Sequence, residues 1–306
     1  MTRGPLIGVD LGGTKIECAV LAPRGEVVWR ERTATPQGDY DATIAAVADL
    51  VRGARRHAPE APGVGVGHPG SRSPFTGLHR NANSTCLNGR ALVADVERAI
   101  GMPVRGANDA NCFALSEAVD GAGEGRRTVF GVILGTGCGG GVVVDRVTLE
   151  GANGIAGEWG HMPLPKADER ERAVPGCWCG RGPCLEVFLS GPGVQADYAR
   201  SGGAAGTALE GIVERAAAGE GGAVAAIDRW IDRLGRSLAV VCDLLDPDAI
   251  VLGGGASRVP GLVERLPAAV APHCFSDGFR TPIRAAVHGD SGGVRGAAWL
   301  FATFAS

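Results

Sequence analysis

Three groups of residues in this 306-residue chain have the types and spacing to do chemistry. Cys177, Cys179 and Cys184 lie close together, with His161 upstream. Three thiolates and one imidazole complete a tetrahedral Zn2+ set, and four protein ligands leave no position open for hydrolysis, so the site would be structural. The second group is a pair of glycine turns, Gly12-Gly13-Thr14 and Gly135-Thr136-Gly137-Cys138-Gly139-Gly140, each after an apolar run. Backbone N–H groups and a Thr hydroxyl from two such turns can clamp a polyphosphate from two sides. Asp10, ending the first run, is placed to hold Mg2+ directly or through water. Lys15 either reaches phosphate or solvates its strand. The third group is Asn108-Asp109, just before the helical stretch 110–118. Its plain role is to cap that helix; its chemical role would be a carboxylate that takes a proton from an attacking hydroxyl.

Two common nucleotide motifs are excluded. The second glycine turn fits G-x-G-x-x-G, but a dinucleotide fold needs a helix after the third glycine. Here β-branched Val142-Val143-Val144 follows. No G-x-x-x-x-G-K-[ST] occurs either.

The elements that must carry these groups repeat a plan. Residues 5–10, 15–21 and 26–35 read as a three-stranded meander, followed by a helix over 42–57 with apolar residues at Ile44, Val47, Ala48 and Val51. A strand over 63–67 and a helix over 88–100 come next. Strand, glycine turn, strand, turn and strand recur over 128–150, a second copy about 120 residues on, which is no solenoid period. A third strand–glycine unit, 249–255, follows a helix over 224–245, and 291–304 reads as a closing helix. The stretch 163–222 reads as loop-rich.

Composition sets outer limits. Thirty Lys+Arg against 33 Asp+Glu give a net charge of −3, which offers no field for nucleic acid or an anionic membrane. Fifty glycines are more than twice the ordinary share of about 7%. No G-X-Y period appears, so the surplus does local work at turns or near a ligand. Nine cysteines, an odd number, fit a reducing compartment. With no leader pattern and no long apolar run, the expected location is the cytoplasm.

Asp10-Leu11-Gly12-Gly13-Thr14-Lys15, Leu134-Gly135-Thr136-Gly137 and Leu252-Gly253-Gly254-Gly255 resemble the phosphate and adenosine motifs of the ROK family of bacterial sugar kinases, collinear over essentially the whole chain. The resemblance implies an α/β fold of duplicated actin/hexokinase-like (ribonuclease H-like) domains, a small one over 1–109 plus 290–306 and a large one over 110–289 that carries the zinc loop. ATP and sugar would bind between the lobes. It implies that Asp10, Gly12, Gly13, Thr14, Lys15, Gly135, Thr136, Gly137, Gly139, Gly253, Gly254 and Gly255 hold ATP and Mg2+. It makes Asp109 the catalytic base and Asn108 a sugar ligand. Gly157-Glu158-Trp159-Gly160-His161 resembles the family's G-E-[FWY]-G-H, so Glu158, His161 and, further on, Glu186 would bind sugar hydroxyls. The cysteine run resembles the family's C-x-C-G-x-x-G-C-x-E zinc pattern, with Pro183 where the family has Gly. A homodimer is also implied.

The segments 69–77 and 81–89 resemble those of bacterial fructokinases within the family, and N-acetylglucosamine kinases read differently there. Gly70 and Asn83 are the sugar-pocket candidates from this stretch. The expectation is ATP:D-fructose 6-phosphotransferase; kinases for mannose, glucose or N-acetylglucosamine are the alternatives. A ROK-type transcriptional regulator is disfavoured because no helix-turn-helix precedes the first glycine turn. A sugar-independent actin-like ATPase is disfavoured by Glu158, His161 and Glu186.

Overall fold

The computed structural model describes residues 4–302. In chain order the first part comprises β1 (Leu6–Leu11), β2 (Lys15–Leu21), β3 (Val27–Ala34), α1 (Tyr40–Arg55), β4 (Val64–His68), the short pair β5 (Ser71–Arg72) and β6 (His79–Arg80), α2 (Leu92–Ile100), β7 (Val104–Asn108) and α3 (Asp109–Asp120). Then come β8 (Thr128–Leu134), β9 (Cys138–Val144), β10 (Val147–Thr148), α4 (Glu169–Arg172), α5 (Glu186–Leu189), α6 (Gly191–Arg200), α7 (Leu209–Ala217), α8 (Gly221–Leu245), β11 (Ala249–Gly253), α9 (Leu262–Val270), β12 (Ile283–Ala285) and α10 (Gly292–Trp299). No helix among them is long and apolar enough to cross a membrane.

The chain divides into two units. One contains the chain up to Gly125, Gly141–Ala156 and the chain from His288; the other contains Arg126–Gly140 and Gly157–Val287. The expected boundary near residue 110 differs from this, because α3 belongs with α10, β4 and β7 in the first unit.

In the first unit the sheet order is β3-β2-β1-β4-β7, with β1 antiparallel to β2 and parallel to β4, and β4 parallel to β7. Strand side chains alternate between faces, and β1 uses both. Ile7, Val9 and Leu11 join the core with Val47, Leu50 and Val51 of α1. Gly8 faces the other way, onto α10: a Cβ there would come 2.2 Å from the Val294 carbonyl oxygen, and one on Gly65 of β4 would come 1.7 Å from that of Ala297. Two glycines thus let α10 lie directly on the sheet. Asp10, two residues after Gly8, therefore points to the α10 face at that helix's N-terminus, where the Cβ position of Gly293 is 2.7 Å from its carboxylate.

The second five-stranded sheet runs β10-β9-β8-β11-β12, with β8 parallel to β11 and β11 parallel to β12. In the second unit α8 buries Ile227, Trp230, Ile231, Leu234 and Leu238 at helical spacing. Arg233 and Arg236 of the same helix pair with buried Glu171, and Arg233 also pairs with Asp197.

Three element expectations shift. β9 starts at Cys138, so Gly139–Gly141 are strand rather than turn. The 163–222 stretch contains α4, α5, α6 and α7, whose short apolar faces were hidden among glycines and charges. The closing helix is Gly292–Trp299, shorter than 291–304, whose last two residues lie outside the described residues.

Candidate active site

The first unit gathers its candidates at the carboxyl ends of adjacent parallel strands, where open α/β sheets bind ligands. Asp10 of β1 is level with Gly67 of β4, and His68 of β4 with Asn108 of β7. Burial, then the neighbouring Asp109 and Glu17 carboxylates, push the Asp10 carboxyl up to about 7. A half-buried carboxylate crowded by like charges suits a divalent cation, which relieves both penalties. Asp109 is exposed at the first position of α3.

Asn108 and Asp109 meet at the start of α3, where the Asp109 Oδ1 also accepts from the Ala110 amide at 2.8 Å. Asn108 is the N-cap, its side-chain oxygen accepting from the Ala110 amide at 2.8 Å. Its Nδ2 donates to the Gly70 carbonyl at 3.0 Å. Each side-chain amide has two donors and two lone pairs, so half of its capacity remains for a sugar. Gly70 has φ +74°, and a Cβ there would meet the Arg80 carbonyl oxygen at 2.4 Å; no other residue fits. Asn83 is exposed and borders a cavity of about 140 Å³ together with Gly13, Thr35, Gln37 and Ser84. Asn88, which sequence reading passed over, ties that loop by accepting from the Ala82 amide and donating to the Ala82 carbonyl. Thr14 and Lys15 stand exposed at the first glycine turn.

The second unit holds the other candidates. Gly135–Gly137 and Gly253–Gly255 follow the adjacent parallel strands β8 and β11, with Gly253 level with Ile133. The Gly191 amide at the start of α6 donates to the Gly135 carbonyl at 2.8 Å, and Trp159 Nε1 donates to the Gly139 carbonyl at 2.9 Å. Thr136 is exposed. Glu186 accepts from the Cys138 amide at 3.2 Å and from Trp178 Nε1 at 2.8 Å. Glu158 and His161 flank the buried Trp159-Gly160 pair and are themselves half-buried.

His161, Cys177, Cys179 and Cys184 converge, with their ligand atoms all within 4.8 Å of one another. Cys177 Sγ lies 3.7 Å from His161 Nδ1, and Cys179 Sγ lies 3.4 Å from Cys184 Sγ. Zn–S bonds of about 2.3 Å in a tetrahedron put sulfurs about 3.8 Å apart, so the donor set fits zinc. The Cys177 amide donates to the Gly182 carbonyl at 2.7 Å, and left-handed Gly180 and Gly182 (φ +76° and +107°) turn the loop, so Pro183 is accommodated without a glycine of its own. Nδ1 faces the thiols, which leaves Nε2 of His161 for another partner.

The Asp10, Asn108, Asp109, Gly70 and Asn83 group thus belongs to the first unit, and the Glu158, His161, Glu186 and zinc-loop group to the second. Sequence reading missed Thr35, Gln37 and Asn88, whose only signal was a polar side chain beside a Pro or Gly turn.

The ROK family profile matches residues 6–303. An N-acetyl-D-glucosamine kinase of Haemophilus influenzae is 39% identical over 301 residues, 97% of this chain and 99% of that one. Among solved structures, a ROK hexokinase from Thermus thermophilus is similar with a TM-score of 0.84 and 30% identity, covering 96% of this chain and 97% of that one. A ROK family glucokinase from Streptomyces griseus, in complex with glucose and AMPPNP, is similar with a TM-score of 0.75 and 28% identity, covering 97% and 99%. The relative from Haemophilus influenzae is named for N-acetyl-D-glucosamine, so the fructose expectation finds no support in it.

Proposed function

The chain belongs to the ROK family, and we propose that this ATP-dependent hexose kinase phosphorylates the 6-hydroxyl of N-acetyl-D-glucosamine, with Asp109 as general base. The observation that supports the base assignment is the start of α3: Asn108 is the N-cap, and Asp109, whose Oδ1 accepts the Ala110 amide at 2.8 Å, stands exposed and close enough for its charge to raise the Asp10 carboxyl. In the reaction Asp109 accepts the proton of the sugar hydroxyl as its oxygen attacks the γ-phosphorus, and ADP leaves. Mg2+, when bound, offsets charge on the phosphate oxygens. Asp10 is the residue that would hold it, and Lys15 would add positive charge at the first turn.

Phosphate groups fall to the amides of Gly13, Thr14, Thr136 and Gly137, in turns that the Gly12 and Gly135 amides close by donating to the Lys15 and Gly137 carbonyls, with Gly139 behind them and Gly253–Gly255 toward the nucleoside. Sugar hydroxyls fall to Asn108 of the first unit and to Glu158, His161 and Glu186 of the second, with Gly70 and Asn83 as further candidates from the first. Carboxylates and amides suit this because each can bind two vicinal hydroxyls. His161, Cys177, Cys179 and Cys184 would hold structural zinc, and a homodimer is the expected assembly.

A second reading is D-fructose, favoured by the likeness of residues 69–77 and 81–89 to fructokinases. Coupled ADP release over N-acetylglucosamine, fructose, mannose and glucose separates the two. The highest kcat/KM for N-acetylglucosamine supports the first reading. A clear fructose preference replaces it while leaving the kinase assignment intact.

A further inference from the structure

Three consecutive carbonyls of the first glycine turn are held by one short segment. Thr35 Oγ1 donates to the Gly12 carbonyl at 2.7 Å, Gln37 Nε2 to the Gly13 carbonyl at 2.5 Å, and the Thr35 amide to the Thr14 carbonyl at 3.1 Å. Thr35 and Gln37 follow β3 directly, with Pro36 between them fixing its own φ and spacing the two anchors. We propose that Thr35 and Gln37 are positioning residues that aim the Gly13 and Thr14 amides at the phosphates of ATP; this rests on the phosphate-turn reading above.

A trans peptide is planar, and its C=O and N–H point in opposite directions. Fixing the Gly12 carbonyl therefore fixes the Gly13 N–H, and fixing the Gly13 carbonyl fixes the Thr14 N–H, both directed away from residues 35–37. Among the described residues no acceptor takes either amide. Gly12 is held on its other side, where its amide donates to the Lys15 carbonyl at 3.0 Å. Successive amides presented together in this way form an anion-binding concavity.

Packing does not do the same job. Gly13, Thr14 and Lys15 are exposed, and the cavity of about 140 Å³ lies beside the turn, bordered by Gly13, Thr35, Gln37 and Ser84. With empty space on that side, the turn can relax when the two side-chain hydrogen bonds are removed. Thr35 and Gln37 touch the turn's carbonyls, so their effect on ATP passes through Gly12 and Gly13.

Binding of ATP and of adenosine to the full chain tests the proposal, with Thr35→Val, Gln37→Leu, their double variant, Thr35→Ser, and a Thr14→Ala/Lys15→Ala variant of the turn itself. Each anchor loss should weaken ATP about three- to tenfold, the value of one net hydrogen bond. Adenosine affinity, sugar KM and Tm should stay unchanged, and Thr35→Ser should restore ATP affinity. If the anchor double variant binds ATP within twofold of wild type while Thr14→Ala/Lys15→Ala weakens it, the positioning role is overturned and the phosphate turn stands. If neither weakens ATP, the phosphate-turn reading fails and takes the proposal with it. Equal loss of ATP and adenosine means general damage and also overturns it. Because Gln37 is exposed, Gln37→Leu decides the matter even should Thr35→Val fold poorly.

Discussion

Glu186 Oε2 accepts the backbone amide of Cys138 at 3.2 Å, so the carboxylate beside the cysteine cluster is also fastened to the glycine turn after β8. Its other oxygen accepts Trp178 Nε1 at 2.8 Å, and Trp178 meets the His161 ring edge-on with centroids 5.3 Å apart. A proposed sugar ligand, the zinc loop and a proposed phosphate turn are thereby linked within one unit. Glu186→Ala should raise KM for both sugar and ATP, each at least about threefold, from loss of one or two hydrogen bonds. Steady-state kinetics in both substrates check this; an effect on sugar KM alone would show that the link to Cys138 carries no weight.

Zinc removal should act through the same link. Elemental analysis should find zinc bound to the His161, Cys177, Cys179 and Cys184 set, and Cys179→Ser should abolish it along with several degrees of Tm. Because His161 turns Nδ1 to the thiols, chelation should also raise the sugar KM. A chelated enzyme with unchanged KM would refute that coupling.

The Asp10 carboxyl, pushed up to about 7, gives a pH signature. The folded protein keeps this proton up to about 7, whereas the unfolded chain releases it near 3.8. A group with a raised folded pKa destabilises the native state increasingly as pH rises from about 4 to about 7. Without divalent cations, Asp10→Asn should therefore raise Tm at pH 8 and change it little at pH 4.5. Mg2+ should raise the Tm of the wild type at pH 8 and not that of the variant. Thermal melts at the two pH values check both, and a stabilisation equal at both would contradict the assignment.

Gly70→Ala puts a Cβ 2.4 Å from the Arg80 carbonyl oxygen at φ +74°. The left-handed conformation alone costs roughly 1–2 kcal/mol, and the segment leading to Asn83 must shift. Tm should fall by several degrees and sugar KM should rise, as melts and kinetics would show; Gly77→Ala, at φ +72° but with its Cβ meeting only Arg72 Nη2 at an ordinary 3.8 Å, should lower Tm less and leave the sugar KM unchanged.

Much of this was legible in the sequence, for identifiable reasons. The strands of the first meander, the glycine turns and the cysteines of the His/Cys cluster are local patterns, and local patterns carry their own spacing. The glycine surplus was less legible. Gly8, Gly65 and Gly296 serve the close approach of α10 to β1, β4 and α3, a purpose set by residues far away in the chain. The Thr35 and Gln37 anchors were hidden for the same reason: their partners lie more than twenty residues upstream. Substrate identity was least legible, since residues 69–77 and 81–89 resemble fructokinases while a relative 39% identical over 97% of this chain is named an N-acetyl-D-glucosamine kinase.

The most direct test of the account is the turnover of purified Asp109→Asn at saturating ATP and sugar, measured beside its Tm. Asn108 carries the cap, and the substituted side chain keeps an amide oxygen for the Ala110 N–H that Asp109 accepts, so the fold should be undisturbed. Loss of the base should slow ADP release about 10²–10⁴-fold with Tm unchanged. Turnover within a few-fold of wild type would contradict the account.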